Sequence, residues 1–265
     1  MSTTVQSPHL VYITRLADTA LIHGQRLSEW CGHAPILEED LSMANTALDH
    51  IGQARMLYTH LGQLDGSGHG EDHYAYWRDA DQFRNLVLVE LPNTPPAAAT
   101  ASQPRDFAVT MVRQWLMGSL MTLWWQALTQ SSDATLAAIA AKSVKEARFH
   151  RQHARQWLVR LGDGTDVSHA RAQAAVDALW PYTQEIFTTD AVERAVSDQG
   201  IGVAPAEFKQ AWLDDVQNAL AEATLQQPPE AALPCDGKNG RHSEHLSYLL
   251  TEMQSVARAH PEGVW

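Results

Sequence analysis

A chain of 265 residues that is 45% hydrophobic and 19% charged can bury a core, as one large domain or two small ones. Its formal charge of −12 opposes nucleic acid and anionic lipid as partners, because both need basic surface to displace counterions. Two cysteines, Cys31 and Cys235, without C-x-x-C spacing, write neither a disulfide framework nor a thiolate zinc site, which fits a reducing cytoplasm.

The opening MSTTVQSPHL has neither the basic start nor the apolar run of a signal peptide. Beyond it, no stretch alternates in the manner of a strand, whereas apolar residues recur with period 3.6 almost everywhere, so the chain is predicted to be all-α. Helices are expected near 10–31, 38–63, 104–130, 134–161, 167–187, 189–199, 205–226 and 242–259. CGHAP closes the first, with Gly32 as a C-terminal cap and Pro35 beyond it. LDGSGHGED at 64–72 reads as a glycine-rich loop, and DADQFRNLVLVELPN has room for a further short helix. LPNTPPAAATASQP at 91–104 is proline-rich and separates two helix pairs as a crossover connection would.

Residues 109–128, VTMVRQWLMGSLMTLWWQAL, match a bilayer span in length with one charge, Arg113. Gln114, Gln126 and the lack of a second span favour a core helix that is hydrophobic nearly all round. LGDGTDVS at 161–168 stops one helix and caps the next, and QQPPEAALPCDGKNG at 226–240 is the last long loop. Two pairs of long helices joined by a long connection give the layout of a ferritin-like four-helix bundle. The expectation is a single domain over 1–265, with its core bundle at about 10–161 and extra helices at about 166–260.

A di-iron bundle draws a carboxylate from each of two helices and Glu-x-x-His from each of the other two. KEARFHRQHARQWL at 145–158 offers Glu146, His150 and His153, yet three residues before His150 stands Ala147. On the second helix Asp49 is followed at i+3 by Gly52, and His50 by Gln53, so neither pair combines acid and imidazole. An independent di-metal oxygenase would therefore need an unusual ligand set such as Asp49, Glu146, His150 and His153. Nucleotide-binding and acyl-transfer motifs are missing. CDGKNGRHSEHL at 235–246 places Lys238 and Arg241 as a small basic loop able to meet an anion such as a coenzyme A phosphate, with Ser243 as cap of the helix that follows. Nine tryptophans are abundant; at helical spacing such residues mostly belong to a core, and nine leave some for a buried interface.

QRLSEWCGHAP at 25–35, LDHIGQARML at 48–57, NLVLVELPN at 85–93, AKSVKEARFH at 141–150, WLVRLGDGTDVS at 157–168 and GRHSEHL at 240–246 together resemble the PaaC subunits of bacterial phenylacetyl-CoA epoxidase, through nearly the whole chain and in order. That resemblance implies a ferritin-like fold and a non-catalytic structural role in aerobic phenylacetate degradation. It implies a heterodimer with the catalytic paralogue PaaA, which carries the di-iron centre. The full complex adds PaaB and the reductase PaaE, with flavin, an iron–sulfur cluster and NADPH. Set against the catalytic paralogue, the ligand positions fall on Ala20, His50, Gln53, Gly118, Ala147 and His150, with no carboxylate among them. The resemblance thus implies no catalytic residue, no metal and no cofactor in this chain.

Overall fold

A computed structural model describes residues 7–94, 105–230 and 233–263. Within them the protein forms ten α-helices joined by turns and short 3-10 segments, with no strand, as the periodicity requires. In chain order these are α1 Pro8–Ser28, α2 Leu37–Leu64, α3 Glu71–Tyr76, α4 Val87–Glu90 and α5 Phe107–Leu128. They continue as α6 Ala134–Gly162, α7 Asp166–Leu179, α8 Ala191–Asp198, α9 Lys209–Glu222 and α10 Glu244–Ala259. The fold is all-α and ferritin-like. Most of the expected proline-rich connection (residues 95–104), the first six residues, residues 231–232 and residues 264–265 lie outside the described residues.

The helices gather into two compact units. One is drawn from Met1–Leu91, Asp190–Gly202 and Cys235–Trp265 and is built on the α1–α2 hairpin, with α3, α4, α8 and α10. Pro8 opens α1, where its missing N–H costs nothing. Glu38, Glu39 and Asp40 fill the first turn of α2, at the positive end of its dipole. Asp190 caps α8, its carboxylate accepting from the N–H groups of Val192 and Glu193. Gly32 takes a left-handed φ of +77°, four residues past the end of α1, so the chain unwinds earlier than the expected boundary.

The other unit is drawn from Pro92–Thr189 and Val203–Pro234 and is built on the α5–α6 hairpin, with α7 and α9. Asp106 caps α5 and Asp133 caps α6 through backbone N–H groups. Helix α5 is buried along almost its entire length, including Trp115, Trp124 and Trp125, and Arg113 within it donates to the Pro92 carbonyl and the Asn93 side chain. None of the described helices is long and apolar enough to cross a membrane. Where one helix was expected over 167–187, α7 stops at Leu179 and a 3-10 stretch runs through Trp180–Phe187. Pro181 accounts for this: its ring clashes with the carbonyl four residues earlier and it has no N–H to give.

Candidate functional site

In the α1–α2 hairpin, Ala20, His50 and Gln53 are all buried. His23, one turn beyond Ala20, sets its ring 4.6 Å from that of His50 with the planes tilted by 33°. The two helices touch closely here. A Cβ added to Gly24 would lie 3.1 Å from the Ala47 carbonyl oxygen and 3.2 Å from the His50 Cβ. The two imidazoles and one amide therefore stand on facing, tightly packed turns.

Asp18 and Glu90, two buried acids of this unit, lie elsewhere, and internal cations meet them. Asp18 is fully buried and accepts from the Tyr58 hydroxyl at 2.5 Å, from the backbone N–H of Arg84 at 2.7 Å and from the Arg78 guanidinium. Burial and the neighbouring Asp18 charge push the Tyr58 phenol well above its ordinary range. Burial works against the Arg78 charge, but Asp18 outweighs it and holds the guanidinium more firmly protonated than usual. Asn85 donates to the Glu90 carboxylate at 2.9 Å, and the Ser243 N–H does so at 2.5 Å. His242 meets that carboxylate through Nδ1 at 2.8 Å and the Phe83 carbonyl through Nε2 at 2.9 Å. A ring with an acceptor at each nitrogen satisfies both only as the imidazolium. The direction of its pKa agrees: burial lowers it, the hydrogen bond and charge of Glu90 raise it, and the net is upward.

A third group fixes the 235–243 loop. Arg15 donates to Asp190 (2.5 and 3.1 Å), to the Lys238 carbonyl (3.0 Å) and to Asn239 (2.9 Å). The Asp190 carboxyl is half-buried, which would raise its pKa, yet the Arg15 bond and the cap bonds bring it down to about 2. Lys238 donates its Nζ to Glu193 Oε1 at 2.7 Å, with side-chain exposures of 5% and 1%. The expected anion contact through Lys238 is thereby corrected: its ammonium is spent inside the protein. Arg241 does reach solvent, 3.8 Å from the Asp236 carboxylate. Ser243 occupies the cap position of α10, but its hydroxyl makes no cap bond and its N–H serves Glu90.

In the α5–α6 hairpin, a Cβ on Gly118 would lie 2.9 Å from the Cα and 3.0 Å from the backbone nitrogen of Arg151. The backbone of α6 thus runs against α5 where a side chain would otherwise project. Ala147 and His150 are buried on α6, and Arg151 forms a two-pronged pair with Asp215 of α9. Glu146 lies 3.6 Å from Lys142, and His153 stacks on exposed Phe149 at 6.2 Å. The ligand atoms of Glu146, His150 and His153 do not come together within the reach of one ion.

Over residues 1–265 the chain matches the model of the family described as phenylacetic acid catabolic protein, PaaA_PaaC. The chain belongs to this family. It is also 44% identical, over 254 residues, to a protein of Escherichia coli (strain K12) that is one of the subunits of 1,2-phenylacetyl-CoA epoxidase. That alignment covers 96% of this chain and 98% of the relative. The family likeness was legible in the sequence, but the polar clusters of the α1–α2 unit were not. Asp18 and Arg78 stand 60 residues apart and Glu90 and His242 152 apart, so no local pattern joins them. The one available signal was negative: acids at 18 and 90 in otherwise apolar helical stretches need a partner.

Proposed function

We propose that the chain is the non-catalytic structural subunit of a phenylacetyl-CoA 1,2-epoxidase in aerobic phenylacetate degradation, paired with a di-iron paralogue of the PaaA type. The likeness, along nearly the full length, to a protein that is part of such an epoxidase supports the complex to which it belongs. In this reading the chain binds no metal or cofactor. Di-iron resides in the catalytic mate, and flavin and an iron–sulfur cluster in an NADPH-linked PaaE reductase. PaaB completes the assembly in the cytoplasm.

The division of labour rests on the donor set. A di-iron carboxylate centre uses four acids for charge compensation and bridging. At the four matching positions this chain has Ala20, His50, Gly118 and Ala147, and the residues present do not fit such a centre. The observation that carries the reading most directly is Gly118. Any acid there would have to grow from a Cβ 2.9 Å from the Arg151 Cα, so the α5–α6 contact would have to open first. That the ligand atoms of Glu146, His150 and His153 do not gather at one point speaks against the other reading, an independent di-metal oxygenase.

Coexpression tests the assignment. The catalytic paralogue produced with this chain is expected to copurify with it and, given PaaB and PaaE, to epoxidise phenylacetyl-CoA. Produced without it, the paralogue should lose most of that activity. Full activity in the absence of this chain would overturn the structural role.

A further inference from the structure

Helix α2 carries two heptad seams, and its own unit uses one of them. Met43, Ala47, His50, Ala54, Leu57 and Leu61, spaced four, three, four, three and four, are all buried. Turned by roughly a third of a revolution at ~100° per residue, Leu37, Leu41, Ala44, Leu48, Ile51 and Arg55 repeat the same spacing. That second seam lies open: Leu37 is 72% exposed, Leu41 58% and Leu48 64%, with Ala44 and Ile51 half-buried. Ile36, 49% exposed, adjoins Leu37 at the N-cap of the helix. Together the four large side chains present on the order of 400 Å² of apolar surface, as much as the largest patch of an ordinary monomer and about half of one side of a stable interface. Tryptophan does not supply this surface: Trp30, Trp115, Trp124, Trp125, Trp180 and Trp212 are buried in the chain's own core.

A period of 3.5 residues is the spacing for docking a neighbouring helix side by side, whereas a solvated face has no reason to keep it. The charges around the seam choose the neighbour. Glu38 and Asp40 flank Leu37 and Leu41, and Arg55 at the far end is already matched by Glu71 at 2.9 Å. A second copy would bring the same acidic flank and a further charge of −12. A different chain with an apolar heptad seam and basic flanking residues gains attraction instead.

We infer that this open seam of α2 is the surface on which the catalytic paralogue docks, through one of its own helices with a matching leucine-type stripe and a basic border. The inference rests on the heterodimer proposed above and deepens it by placing the contact. The test uses the full chain coexpressed with the tagged paralogue, as wild type, as the double variant Leu41→Asp with Leu48→Asp, and as Val167→Asp, an exposed apolar site outside the seam. Both seam positions are exposed, so circular dichroism and melting of the double variant should match wild type. Its affinity for the paralogue should fall at least about 30-fold, while Val167→Asp should change it by less than about 3-fold. Retention of wild-type affinity by the double variant would overturn the seam while leaving the heterodimer standing. Failure of the wild-type chain to bind at all would overturn both. Sedimentation showing that the wild-type chain self-associates through the seam, with the double variant losing that and not the paralogue, would assign the surface to a second copy and overturn the inference.

Discussion

Around the positions where the family resemblance places metal ligands, the α1–α2 hairpin is polar and the α5–α6 hairpin is small. The first packs His23 against His50 and keeps Gln53 buried nearby, and the unit built on it holds the buried acids Asp18 and Glu90 on Arg78 and His242. The second has Gly118 and Ala147, and at Gly118 its helices approach until no side chain fits. The two hairpins thus show two ways in which a helical core deals with internal charge. One supplies cations from the chain itself to the acids that remain; the other removes volume and charge together, so that nothing is left to neutralise.

Breaking the polar side should cost most. Asp18→Ala strands the buried Arg78 guanidinium and the Tyr58 hydroxyl, and is expected to lower unfolding free energy by about 3–5 kcal/mol in denaturant titration. A loss below about 1 kcal/mol would mean that the cluster is solvated and not structural. Filling the packed side comes next. Gly118→Ala gains helix propensity, yet its methyl meets backbone and not a flexible side chain, so a net loss of about 1–3 kcal/mol is expected by the same measurement. An unchanged or raised stability would show that α6 yields easily.

The smallest effect returns to the unit of the polar hairpin and is recognised by its pH dependence. The His242 pKa is raised in the folded protein above its ordinary 6.5. Its contribution is therefore complete below that value and is lost as pH climbs through the folded pKa. His242→Gln should cost about 1 kcal/mol at pH 6, and the gap to wild type should shrink as pH rises to 9. A gap that is constant with pH would contradict an imidazolium at this position.

How far the sequence carried these conclusions depended on distance along the chain. Helix identity and the two long pairs follow from local periodicity, and Pro181 ending α7 is equally local once its ring is considered. The short α3 escaped because six residues after Gly70 give too few turns for a periodic signal. Lys238 read as a loop cation because nothing near it in sequence reveals Glu193, 45 residues away and almost fully buried. The resemblance drew attention to Gly118, but the reason it must be small, the backbone at Arg151, belongs to helix packing. The open seam of α2 is written in the spacing of its leucines, yet it becomes visible only when the other seam is seen to be occupied.

Iron content separates a metal-free companion from a metalloenzyme in a single assay. The chain purified alone from iron-supplemented cells, without chelator, should hold far less than one iron per polypeptide. Its complex with the catalytic paralogue should hold about two per heterodimer. Two irons on the isolated chain, with the electronic signature of a coupled pair, would contradict the structural role and make this chain an oxygenase in its own right.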